Sequence, residues 1–96
     1  MPTQITQIDD AARGITIFRV DGEMLREDAD LLGRIARETQ EESGNSITID
    51  LADLDFLDSE SAPVLMDLER DLGFDIIGTE IFLQSVVNEV ERPRVN

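Results

Sequence analysis

Apolar and polar positions along the chain switch between two rhythms, one of period two and one of helical spacing, and the switches mark out its elements. Residues 14–21 alternate: Ile15, Ile17 and Arg19 fall on one side of an extended chain, and Thr16, Phe18 and Val20 on the other. Both sides are largely apolar, so this strand is expected inside a sheet, with Gly22 ending it. Residues 3–8 read as a strand before it, closed by a polar turn at Asp9-Asp10. Helical spacing follows, with Leu25, Ala29, Leu32, Ile35, Ala36 and Thr39 on one stripe among Glu and Arg. Gly44 supplies its stop, because glycine takes the left-handed conformation that closes a helix. Ile47, Ile49 and Leu51 then alternate with Thr48 and Asp50 as a second firm strand.

An acidic loop separates that strand from a second amphipathic helix, marked by Val64, Leu65, Leu68 and Leu72 and ended by Gly73. Residues 74–77 form a short strand, and Gly78-Thr79 turns the chain, with Thr79 as an N-cap. Ile81, Phe82, Val86, Val87 and Val90 give a last helix an apolar face, and residues 92–96 are expected to fray. The order is thus β-β-α-β-α-β-α. The first two strands can pair as a hairpin, and helical crossovers make the later pairs parallel. The fold class is α/β, a four-stranded mixed sheet with helices on one face. Leu32, Ile35, Leu65, Leu68, Phe82 and Val86 should form the helix-side core against Ile49. Ninety-six residues leave room for one core, so residues 1–91 are read as a single domain.

Charge narrows the set of partners. The net charge is −14, from 22 acids against eight bases that are all arginine. Such a field repels phosphate backbones and anionic lipid surfaces, which disfavours nucleic acid and direct membrane binding. A protein with a basic face is the favoured partner. The bland alternative is that the acids serve solubility. No apolar run reaches transmembrane length and the first residues do not read as a targeting segment, so the expected location is the cytoplasm.

The side-chain inventory then restricts the chemistry. With no His, Cys, Lys or Tyr, the usual general bases near neutral pH and their activated nucleophiles are missing. No glycine-rich phosphate loop is present. Paired carboxylates leave a hydrolase open as the rival enzyme reading, but so small a domain offers little cleft. Asp50, Asp53, Asp55, Asp58 and Glu60 crowd the acidic loop, yet Phe56 and Leu57 interrupt them and no loop glycine is available for a calcium site. Without His or Cys a transition metal is disfavoured too. The loop is read as a solvated acidic turn, and the chain as a non-enzyme without cofactor or metal.

Within that loop runs Leu54-Asp55-Phe56-Leu57-Asp58-Ser59-Glu60-Ser61-Ala62. A strand exit, an apolar pair and then Asp-Ser at a helix start resemble the STAS family, the fold of anti-sigma factor antagonists. Val20-Asp21-Gly22-Glu23 resembles the family's turn after its second strand, residues 47–53 its next strand and exit, and Phe74-Asp75-Ile76-Ile77-Gly78 its penultimate strand. The resemblance covers about residues 14–91, and its element order is the one read above. It implies a partner-switching regulator whose Ser after the Asp is phosphorylated by an anti-sigma factor that is also a serine kinase. By position the acceptor is Ser59, with Ser61 as second choice, and the docking face is Asp58, Ser59, Glu60 and Ser61.

Three positions depart from the family pattern, which places a small hydroxyl residue, Gly and an apolar residue where Glu60, Ser61 and Ala62 stand. Glu60 sets a permanent charge beside the acceptor, and Ser61 removes the Gly that permits close backbone approach. Pro63 favours a helix start near Ser61 or Ala62, which leaves Ser59 in the preceding turn. Ser59 and Ser61 are also good cap residues, so capping alone is the plain structural reading. The same resemblance holds a second role, the unphosphorylated accessory module of a transport or sensory complex.

So many acids on a small surface repel one another, and dissolved ions screen that repulsion over about 8–10 Å at physiological strength. The melting temperature should therefore rise as sodium chloride goes from low to moderate concentration. A flat or falling melting curve would mean that the eight arginines already compensate the acids.

Overall fold

A strand apolar on both sides needs neighbours on both edges, and β2 (Ile15–Met24) has them. The computed structural model describes residues 3–78. On one edge β2 pairs antiparallel with β1 (Gln4–Asp10), from Gln4 opposite Asp21 to Asp10 opposite Ile15. On the other, residues 15–19 pair in parallel with β3 (Ser46–Asp50), which in turn pairs in parallel with β5 (Asp75–Ile77). Thr16, Phe18 and Val20 are fully buried on the helix side, while Arg19 is exposed on the other, as the alternation requires.

Two helices cover that buried side among the described residues. Helix α1 (Arg26–Ser43) buries Ala29, Leu32 and Ala36 completely and Ile35 in part. It begins after Leu25, which offers no side-chain acceptor, so the cap works in reverse. The Leu25 N–H donates to the Asp28 carboxylate at 3.0 Å. The Thr3 hydroxyl meets the same carboxylate at 2.7 Å. Leu25 is thus extended (φ −95°, ψ 169°) and 45% exposed, outside the apolar stripe that helical spacing assigned it to. The helix closes on Gly44 at φ +75°, whose N–H donates to the Gln40 carbonyl at 2.8 Å.

Helix α2 (Ser61–Leu72) buries Leu65 fully, with Val64, Leu68 and Leu72 packed partly buried around the core. Leu68 rests on Gly33 of α1, where even a Cβ would come within 3.0 Å of it. Glycine there lets the two helices approach. At the far end of the sheet one polar network replaces apolar packing. The buried Thr16 hydroxyl donates to Asp9 at 2.9 Å and accepts from the Asn45 amide at 3.1 Å, which ties the hairpin to the start of β3.

The fold class is the expected one, α/β with helices on one face, but among the described residues the sheet has five strands where four were expected. The extra strand is β4 (Leu54–Leu57), in the stretch read as an acidic loop, and it pairs in parallel with the end of β2. Gly22 does not end β2. The strand continues through it at φ +86° to Met24. Gly22 lies opposite Leu54 and Glu23 opposite Phe56, so Asp55 is an extra residue in a bulge. That bulge puts Leu54 and Leu57, three apart, on the same buried face, a spacing that no period-two reading recognises as a strand. The expected final helix, the Thr79 cap, the fraying of residues 92–96 and the core positions Phe82 and Val86 lie outside the described residues.

Leu65→Ala should lower stability by about 2–5 kcal/mol, the range for a fully buried leucine. Leu68→Ala should cost less, because part of its surface already meets water. Urea unfolding of both variants measures the difference, and equal losses would mean that Leu68 is as enclosed as Leu65.

Candidate functional site

Strand β4 ends at Leu57 and helix α2 begins at Ser61, so Asp58, Ser59 and Glu60 form the turn between them. Three hydrogen bonds shape that turn from the Asp58 end. Its N–H donates to the Met24 carbonyl at 2.9 Å, its carbonyl accepts the Ser61 N–H at 2.8 Å, and its carboxylate accepts the Glu60 N–H at 3.3 Å. Asp58 therefore builds an Asx-type turn and occupies the space ahead of the helix that a capping residue would use. Its position follows from the parallel pairing of β4 with β2, which sets Leu57 beside Met24.

The two serines separate sharply. Ser61 is fully buried as the first residue of α2, and its hydroxyl donates to the Met24 carbonyl at 3.2 Å. It stands behind the expected docking face, and neither caps the helix nor reaches solvent. A buried hydroxyl aimed at a carbonyl is not presented to solvent, where a kinase would meet it. Ser59 is exposed at the tip of the turn, ahead of the helix as Pro63 led one to expect. Among the described residues its hydroxyl has no hydrogen-bond partner, so capping is not its role there.

Glu60 fills the N-cap position of α2 without a side-chain cap bond. Its carboxylate lies 3.7 Å from Arg26, the first residue of α1, and Arg26 also reaches Asp30 at 4.0 Å. Sequence reasoning missed Arg26 because only the β2–β4 pairing carries the start of α1 to this turn. It also missed two exposed apolar side chains here, Leu25 at 45% and Phe56 at 48% exposure. Phe56 stands opposite Glu23, and Leu25, still extended after Met24, turns to the same side of the sheet. The signal was present as apolar residues beside an acidic turn, but the helical stripe claimed Leu25 first.

The other acids of the segment disperse. Asp50 pairs with Arg19 at 3.6 Å and accepts the Ala52 N–H at 3.0 Å, while Asp53 and Asp55 are exposed. Among the described residues no three acids gather as a cation would require. A groove of about 260 Å³ between α1 and α2, lined by Ala29, Gly33, Val64 and Leu68, includes no residue of the Ser59 turn.

The family model of the STAS domain matches residues 5–93, nearly the whole sequence. The chain belongs to the STAS family. Solved structures agree on the STAS fold. A STAS-domain anti-sigma factor antagonist from Rhodobacter sphaeroides is 19% identical with a TM-score of 0.62, over 82% of this chain and 89% of that one. The anti-sigma factor antagonist SpoIIAA in its unphosphorylated form is 16% identical with a TM-score of 0.55, over 75% of this chain and 64% of that one. An uncharacterised protein with a SpoIIAA-like fold from Shewanella loihica is 20% identical with a TM-score of 0.59, over 92% and 78%. No curated protein matches the sequence. At these identities the neighbours speak for the STAS fold alone. Among the described residues, no helix is long and apolar enough to cross a membrane.

Ser61→Asp should destabilise this STAS domain by several kcal/mol, because it places a charge in a site with no exposure. Ser61→Ala should cost only about 0.5–1.5 kcal/mol, since the Met24 carbonyl keeps the Asp58 N–H. Denaturant melts of both variants test this, and an Asp variant as stable as the Ala one would show that the site opens to water.

Proposed function

We propose that this STAS domain is a non-enzymatic, cytoplasmic regulator of the anti-sigma factor antagonist kind. Its docking face is Asp58, Ser59 and Glu60 at the start of α2, with Ser61 bracing the turn from behind, and Ser59 is its phosphoacceptor. The observation that carries this reading is the contrast between the two serines. One hydroxyl is held inside by the Met24 carbonyl, and the other projects from a turn whose backbone is anchored at Asp58. A kinase needs an accessible hydroxyl in a defined setting, and Ser59 alone of the pair offers it. In the step itself the Ser59 oxygen loses its proton and takes the terminal phosphoryl group of a nucleoside triphosphate, releasing the diphosphate.

The partner inferred from charge is a protein with a basic face, of the anti-sigma factor and serine kinase class. Phosphorylation adds about −1.5 to −2 charges beside Asp58 and Glu60, and a partner tuned to the unmodified face leaves. The absence of His, Cys, Lys and Tyr from the chain supports a binding role over catalysis. A second reading is favoured by Glu60. A carboxylate that always stands beside the acceptor suits an accessory module of a transport or sensory complex that is never phosphorylated.

Mass spectrometry of the Ser59 peptide, from protein purified out of its own host, separates the two. Switching predicts a phosphorylated fraction, with partner binding kept in Ser59→Ala and lost in Ser59→Asp. An unmodified peptide, together with equal binding by wild type and both variants, would overturn switching and leave the accessory reading.

A further inference from the structure

The turn that carries Ser59 is joined to the start of α1 by more than its backbone. Two groups of the turn, the Asp58 N–H and the Ser61 hydroxyl, converge on the Met24 carbonyl at 2.9 and 3.2 Å. Arg26, two residues beyond Met24, is therefore carried to the turn by the same anchor. Its guanidinium bridges Glu60 at 3.7 Å and Asp30 at 4.0 Å. Among the described residues no other arginine pairs with this turn: Arg19 is engaged by Asp50, and Arg70 by Asp67 and Asp71.

We propose that Arg26 is the group that reads a phosphate on Ser59, exchanging its carboxylate partner Glu60 for the phosphoryl oxygens. This rests on the reading of Ser59 as the acceptor and adds how the modified state is held. Both of its present contacts are long and exposed, with side chains about 60% accessible. Pairs of that kind contribute little and are readily given up. A guanidinium engages phosphate through two parallel N–H bonds and binds it more strongly than a single carboxylate oxygen. Asp58 and Glu60 flank the new phosphate on its own turn, and Asp30 of α1 shares Arg26 with Glu60, so Arg26 is the cation that offsets them. Once Arg26 has moved, Glu60 loses its neutralising partner. The docking face then changes by more than the phosphate itself, since an ion-paired carboxylate becomes a bare one beside a dianion. Glu60 thereby acts as a place-holder for the phosphate in the unmodified state.

The second ionisation of the phosphate reports the contact directly. A cation that favours the dianion lowers this pKa from its usual value near 6, whereas Asp58 and Glu60 alone raise it. The full chain with phosphoserine installed at position 59 by genetic encoding is titrated by phosphorus NMR, beside the same protein carrying Arg26→Gln. Arg26→Gln should raise the midpoint by about half a pH unit, the size of one exposed arginine–phosphate pair. Arg26→Lys should recover part of the shift, because it keeps the charge and loses the fork. Glu60→Gln should lower the midpoint further by removing a competitor for Arg26. Unchanged thermal melting of each variant shows that the turn is intact. Equal midpoints for wild type and Arg26→Gln would overturn the assignment of Arg26. Because the phosphate is installed, this titration is decided apart from whether the host modifies Ser59, which the peptide analysis settles alone.

Discussion

The Met24 carbonyl at the end of β2 accepts one hydrogen bond from the Asp58 amide and another from the Ser61 hydroxyl. Through it the last residue of one strand holds both ends of the turn that follows another. Met24 is fully buried, and its carbonyl would be left short of partners if β4 did not arrive beside it. The requirement works in both directions. Pairing of residues 22–24 with β4 satisfies the end of β2, and the same pairing sets the height and direction at which α2 begins. Without it Ser59 would ride on a loose acidic loop; with it Ser59 projects from a braced corner where two helix starts meet.

Rigidity at that corner suits recognition. A partner that docks on a preformed turn spends little free energy on ordering it, so a small face can still bind with useful affinity. Around the corner lie Leu25 and Phe56, both about half exposed, with acids beside them. An apolar centre with a charged rim is the usual make-up of a protein-binding patch. It is poorly suited to holding a small polar substrate. Both carboxylates of the turn are already engaged, Asp58 by the Glu60 N–H and Glu60 by Arg26.

With only eight arginines against 22 acids, where each cation sits carries weight. Arg19 neutralises Asp50 on the open side of the sheet, and Arg70 bridges two acids along α2. These are local compensations within or between neighbouring elements. Arg26 differs, because it spans the two helix starts and reaches Glu60, one of the two carboxylates adjacent to Ser59. In a chain with so strong a negative field, a single cation there has a larger effect on an added phosphate than it would on a neutral protein.

Much of this was legible in the linear chain. Periodicity alone placed β2, β3, α1 and α2, because a half-buried strand and an amphipathic helix write their burial directly into residue spacing. Gly44 and Gly73 marked the helix ends for a local reason, the left-handed backbone at φ +75° and +72°. Pro63 likewise foretold that Ser59 would precede the helix. Strand β4 was not legible, since its bulge at Asp55 breaks the period and its partners, residues 22–24, lie far earlier in the chain. Leu25 was assigned to the wrong face because helical spacing continues one residue past the point where the chain turns extended. The difference between Ser59 and Ser61, and the arrival of Arg26 at Glu60, depended on the same long-range pairing. Local sequence determines which conformation each segment prefers. Which hydroxyl is buried and which charge meets which is decided only when β2 and β4 come together, because burial and ion pairing belong to the packed whole.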